Sequence, residues 1–355
     1  MQKSVPNSGA KIGMARTLTA LTCAALWAAA LALAASAMPM RKPLKRVSTI
    51  ELPGPAGKPF GSMAIDAERH LLFVAHAGAG QLYVINLTTE QVIKTVDDLP
   101  GAQDIALVRD EGDGKIYVTD PGDDSVAVLD ARSLEVTTRI PTQSRPGGLA
   151  YAEDFDRLYV SDAGARAEAM VDTRQDAAMG IAPMGSPPAE LAYDAAAKKV
   201  YVNLPEENLV AVLDPASGRL SGRNPMGRCE GNRGIALDAE KRRGFLSCAG
   251  NDLLTVLDLE KMTPIEFLHV KPGADAVAVD ARLRRIYVAC ASGWISTVEE
   301  FEDKGAVRYR KLRDTEAANA VGGLAVDPAS HRVYTAEQEE DGAPVARLAV
   351  YEPQP

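Results

Sequence analysis

His76, Asp120 and Asp162 are the side chains whose types best suit metal ligation or acid–base work, since imidazole and carboxylate serve either role. They sit 44 and 42 residues apart, each after a short β-branched or aromatic run. That spacing is too long for a local ligand motif, and no His pair at metal-ligand spacing occurs. Asp and Asn at strand ends commonly cap the following turn through their side chains. A bound metal is therefore not expected. Nucleophilic chemistry has little to draw on: no G-x-S-x-G element exists, and Gly61-Ser62 and Gly185-Ser186 read as loop residues. Gly78-Ala79-Gly80 falls between two strands, so it is no phosphate loop, and no C-x-x-C-H haem site occurs. The sequence requires no cofactor and leaves the identity of any cofactor unknown. An enzymatic alternative would use His76 as base with Asp120, Glu190 or Arg233 orienting and stabilising charge.

What positions these residues is a repeat. The aromatics of I-Y-V-like runs, Phe73, Tyr117, Tyr159, Tyr201, Phe245, Tyr287 and Tyr334, are spaced by 44, 42, 42, 44, 42 and 47 residues. Small residues in the preceding runs, Ala64, Ala106, Ala150, Ala192, Ala236, Ala278 and Ala325, are spaced by 42, 44, 42, 44, 42 and 47. Each copy holds four strand-like pieces, as in Asp104 to Val108, Lys115 to Thr119, Ser125 to Asp130 and Val136 to Ile140. Four short antiparallel strands at a period in the forties describe the blades of an all-β propeller, here with seven blades. The last copy supplies three strands, and Arg46 to Leu52 has the alternation of an outermost strand. That N-terminal strand is expected to complete the last blade and close one propeller domain, residues 46–351, with a tail at 352–355.

Within a blade the first two strands run antiparallel, so the start of one and the end of the other share the face at the mouth of the channel. His76, Asp120, Asp162, Asn203, Cys248, Cys290 and Glu337 follow the second strand. Asp104, Arg145, Glu190, Arg233 and Asp275 lead into the first, with Lys58 and Gln103. The opposite-face turns carry a uniform Asp, Lys, Arg and Gly set. The candidate ligand-binding residues are thus His76, Asp104, Asp120, Arg145, Asp162, Glu190, Arg233, Asp275 and Glu337. Trp294 joins them as a large aromatic at a usually polar position entering the third strand. Cys229 and Cys248 reach one face of the fifth blade and are expected to form a disulfide. Cys248 and Cys290, at equivalent positions of adjacent blades, stand too far apart.

Residues 1–37 read as a cleaved secretory signal peptide: a basic start, an Ala/Leu-rich stretch from Thr17 to Leu33, and Ala35-Ser36-Ala37 as cleavage site. Residues 38–45 then form a short lead-in. Without Lys3, Lys11 and Arg16 the chain carries 36 Lys and Arg against 48 Asp and Glu, net −12. That balance argues against general affinity for nucleic acid or anionic membranes.

Ile116-Tyr-Val-Thr-Asp120 followed by Ser125-Val-Ala-Val-Leu-Asp130, and Arg157-Leu-Tyr-Val-Ser-Asp162 after Arg145-Pro-Gly-Gly-Leu-Ala150, resemble the YVTN repeat of YncE-like periplasmic β-propellers. The resemblance covers the chain after residue 37. Copies three, six and seven depart from it, at Arg166 to Asp172, at Val298 to Glu302 and at the acidic insertion Glu337 to Pro344. It is specific for architecture; the rigid seven-blade ring, the chemically varied mouth face and the absence of a nucleophile set are what point to a periplasmic or secreted, non-enzymatic scaffold for an envelope protein, peptide or small ligand. The alternatives are a lactonase- or lyase-type propeller enzyme, or an accessory subunit of periplasmic redox metabolism, since relatives of this repeat accompany haem and quinone enzymes.

Overall fold

The computed structural model describes residues 1, 2, 4, 42–109, 114–318 and 321–355. The expected signal peptide and its cleavage site lie almost wholly outside them. Among the described residues no helix is long and apolar enough to cross a membrane. Residues 42–355 form seven antiparallel four-stranded blades in a ring, with strands in chain order from the axis outward in blades one to six and the short Thr315–Glu316 added to blade six. Blade two shows the plan: Ile105–Val108, Lys115–Asp120, Ser125–Asp130 and Val136–Pro141.

The two repeating residue series are partners. Ala64 faces Phe73, Ala106 faces Tyr117, Ala150 faces Tyr159 and Ala192 faces Tyr201 across the first two strands of their blades. Ala236 with Phe245, Ala278 with Tyr287 and Ala325 with Tyr334 continue the series. A methyl beside each ring keeps the crowded inner strands close, while the ring fills the seam toward the next blade. Tyr117, for instance, packs with Leu149, Leu158 and Val160 of blade three. All seven rings are essentially buried. Truncating one to Ala is expected to cost about 3–5 kcal/mol, the range for large aromatics in cores.

A second device joins neighbouring blades at this level. Two residues after the aromatic, a polar side chain donates to a carbonyl on the next blade. Thr119 Oγ1 reaches Gly147 O at 2.7 Å, Ser161 Oγ reaches Ala189 O at 2.5 Å, and Asn203 Nδ2 reaches Arg233 O at 2.8 Å. Ser247 Oγ does the same to Asp275 O. Blades one, six and seven carry Ala75, Ala289 and Ala336 there, with no group to donate.

Blade seven closes the ring. Val321–Val326, Val333–Glu340 and Ala343–Pro353 are completed by Leu44–Glu51, which pairs antiparallel with the last of them. The closing strand begins at Leu44, earlier than the sequence pattern indicates, and Leu44 is buried against Tyr287 and Tyr351. The insertion at Glu337 to Pro344 is ordered strand. It extends a hairpin through Asp341-Gly342, both at positive φ as a two-residue type I′ turn demands. Lys304-Gly305 does the same in blade six, lengthening its third strand to Trp294–Asp303.

Candidate functional site

The inner strands define the axial end of the molecule. In blades three, five, six and seven the register between the first two strands slips near the start of the inner strand, for example between Pro146 and Leu149 and between Ala274 and Val277. A bulge there frees one or two residues from the ladder and re-aims their side chains. A cavity of about 170 Å³ at this end is lined by residues of six blades: Phe60 to Ser62, Gln103, Glu190, Gly234 and Ile235, Asp275 to Val277, and Gly323 and Leu324. Only residues close to the axis can converge from so many blades. A larger hollow of about 770 Å³ lies between the outer strands of blades seven and one. Its Glu90 is already held by Arg332 at 2.9 Å, and its walls are strand edges without converging polar groups. The axial cavity is the better candidate for a small ligand on chemical grounds.

Of the residues singled out in the sequence, four gather at this cavity. Glu190 and Asp275 line it. Burial first, then Asp104 and Asp275, push the Glu190 carboxyl well above the usual carboxylate range, against the partial offset of Arg233. Arg233 Nε stands 3.6 Å from Asp275, both side chains about half open to solvent. Asp104 lies just behind, accepting from Ser62 Oγ and from the N–H groups of Ile105 at 2.8 Å and Leu149 at 2.7 Å. Burial nonetheless raises its pKa. Asp104 thereby ties blades one, two and three together.

The others take different places. His76 is fully buried, stacked on Phe60 with ring centroids 4.0 Å apart and 13° between planes. Its Nδ1 lies 3.0 Å from the Tyr83 hydroxyl, which donates to Gln81 Oε1, and its Nε2 has no partner among the described residues. Burial lowers its pKa, so it is a neutral core imidazole under a phenyl ring. Asp162 accepts the N–H groups of Gln143 and Ser144, at 2.6 and 2.7 Å, so it ties down the segment entering the inner strand of its blade rather than capping the turn that follows it. Arg145 is exposed and is fixed by its own N–H to Asp124 at 2.7 Å.

Asp120 is buried with one oxygen 3.2 Å from Arg139 and the other without a partner among the described residues. Burial and Asp123 raise its pKa to about 6, with Arg139 opposing. Glu337 is buried between Arg46, at 3.1 Å, and Arg347, at 2.8 Å, so it belongs to ring closure. Trp294 is half-buried beneath Lys271, whose Nζ is 4.3 Å from its ring centroid.

A disulfide joins Cys229 and Cys248, with Cα atoms 5.3 Å apart. Cys290 is free and buried, and burial pushes its thiol up to about 11, far from a reactive thiolate. Asn203 is not the strand-end residue of blade four. That place is Leu204, and Asn203 belongs with Thr119, Ser161 and Ser247 in the seam-joining series.

Phe60, Ser62 and Glu168, at or behind the cavity, were not singled out in the sequence as site residues. Phe60 and Ser62 come from the segment before blade one. Glu168 in blade three stands where the other third strands place Leu82, Val126, Val210, Leu254, Ile295 and Leu348. That apolar register was the one cue by which Glu168 could have been noticed.

Neither a protein-family model nor a curated protein sequence matches this chain. Among solved structures, a chain of Kuenenia stuttgartiensis hydrazine synthase superposes with a TM-score of 0.67, over 81% of this chain and 94% of that one. At 15% identity the likeness is one of fold, and it agrees with the seven-bladed propeller built above.

Proposed function

We propose that this chain is an exported, non-enzymatic scaffold of the YVTN-repeat, YncE-like kind that holds a ligand at the mouth of its axial channel. The observation that carries the reading is the convergence of Ser62, Gln103, Glu190 and Asp275, from four blades, on one cavity walled elsewhere by apolar side chains. Rigid inner strands supply such a site with fixed geometry. The repeat resemblance and the signal-peptide pattern place the work in the periplasm or outside the cell, and make an envelope protein, a peptide or a small molecule the partner. The enzymatic reading would need His76 as base, and His76 is stacked under Phe60 with no solvent exposure.

Native mass spectrometry of the protein purified from envelope extract tests the proposal. A retained non-covalent mass is expected, lost in the double variant Arg233→Ala, Asp275→Ala with unchanged melting temperature. A His76-dependent turnover of lactones, absent from His76→Ala, would replace the scaffold with the enzyme.

A further inference from the structure

The axial cavity has two kinds of lining. Phe60, Ile235, Val277 and Leu324 line it with apolar side chains, and Ser62, Gln103, Glu190 and Asp275 with polar ones. The charges are one-sided. Asp104, Asp275 and Glu168 all act on Glu190, and Arg233 is the one cation among the groups acting on it. Among the described residues no group donates a hydrogen bond to the Glu190 carboxyl.

A second feature stands apart from that cluster. Glu168 is fully buried, and its Oε2 has no partner among the described residues. Ser161 Oγ is 2.5 Å from the Ala189 carbonyl and 2.9 Å from Glu168 Oε1. A hydroxyl has one proton to donate. Ser161 gives it to the carbonyl, so the contact with Glu168 closes only when Glu168 carries a proton and donates to Ser161 Oγ. Burial, the larger cause, and Asp162 both favour that neutral form. An acid sits here where every other blade has an aliphatic residue, and it lies close enough to Glu190 to raise its pKa in turn. Buried acids displaced from their usual ionisation, next to a cavity, mark a site where charge is meant to be met.

We propose that the axial cavity binds a small organic ammonium ion, its charged head against Glu190 and Asp275 and its hydrocarbon body against the apolar side chains. The proposal rests on the scaffold reading above and names its ligand. A metal ion fits less well, because no three His, Cys, Asp or Glu side chains among the described residues are grouped to hold one. The volume equals that of about six waters, at roughly 30 Å³ each, so the ligand is small. Binding exchanges charge for charge: the ammonium ion enters, the Glu190 carboxyl becomes a carboxylate, and its proton leaves to water. The groups facing Glu190 through this exchange are Asp104, Asp275 and Glu168, which resist ionisation, and Arg233, which aids it.

Isothermal titration of the full chain with butylammonium, with butanol and butyrate as uncharged and anionic counterparts, tests this. Butylammonium alone is expected to bind, releasing a proton that buffers of different ionisation heat report. Its affinity should rise by up to about tenfold per pH unit while Glu190 is protonated in the free protein. Glu190→Gln should weaken binding at least about tenfold, a loss of one charged contact, and abolish the pH slope. Gln is isosteric, and an unchanged melting temperature separates lost contact from lost fold; Asp275→Asn serves if Glu190→Gln does not fold. Equal binding of butanol or butyrate, no binding of butylammonium at millimolar concentration, or an unchanged Glu190→Gln would overturn the ammonium proposal. A retained native mass lost with Arg233 and Asp275 would still uphold the scaffold.

Discussion

The seams between blades two to six and the closing pairing inside blade seven are held by different means. In the first set a neutral side chain, Thr119, Ser161, Asn203 or Ser247, reaches a carbonyl 28 or 30 residues further on. Blade seven has Ala336 at the matching position and relies instead on Glu337, buried between Arg46 and Arg347. Neighbouring blades in sequence meet almost unavoidably, and a single neutral bond suffices to fix their mutual level. The closing seam must bring together strands from opposite ends of the chain. There a buried carboxylate matched by two guanidinium groups gives the correct pairing a partner that a slipped pairing lacks.

Mutations that strike the two kinds of seam should separate them. Glu337→Ala takes from Arg46 and Arg347 the buried carboxylate they share and leaves them Glu340 alone, and is expected to cost about 3 kcal/mol in urea unfolding, the lower end for breaking a buried ion cluster. Thr119→Val strips a seam-joining hydroxyl and strands the Gly147 carbonyl and the Asp104 N–H, for about 1–3 kcal/mol. Ser161→Ala belongs in the same range, since that hydroxyl too has a second partner, Glu168. If Glu337→Ala cost no more than Thr119→Val, the contrast would disappear.

A pH-dependent effect concerns Asp120, next to Thr119 in the same strand. Its folded pKa of about 6 lies above the unfolded value near 4. Between those values the folded chain holds a proton that the unfolded chain has released, so stability falls as pH rises from about 4 to about 6, and levels off above. Asp120→Asn should flatten that part of a stability–pH curve. An identical slope in the variant would assign the proton to another group.

Repetition made the blades legible. A Tyr and an Ala that face each other across two strands must recur together, so their agreement in sequence reported a contact in space. The same logic hid other features. Thr119 and Ser161 look like ordinary strand residues, and nothing local says that their hydroxyls leave the blade. Asn203 resembles a turn cap in type, yet the strand runs one residue further to Leu204 before Pro205 ends it. His76 reads as an exposed strand end because Phe60, which covers it, comes from the segment before the first blade. Glu190 and Asp275 were legible as mouth residues. The place of Glu168 beside Ser161, which also reaches the Ala189 carbonyl, was not, since it follows from distances that no sequence pattern encodes.

The closing strand also fixes an order of events. Leu44–Glu51 is the first described strand to be synthesised, and its partner Ala343–Pro353 is the last. Until then one edge stays unpaired, and the outermost strand of the ring waits for the rest. The entropy of closing so long a loop grows only slowly with length, about 0.6 kcal/mol per doubling, so the delay is kinetic more than energetic. During that interval the molecule presents an open sheet edge to other chains. Assembly of this ring is therefore most exposed to error at its final step, and a chain shortened at its C-terminus would leave its own beginning without a place to go.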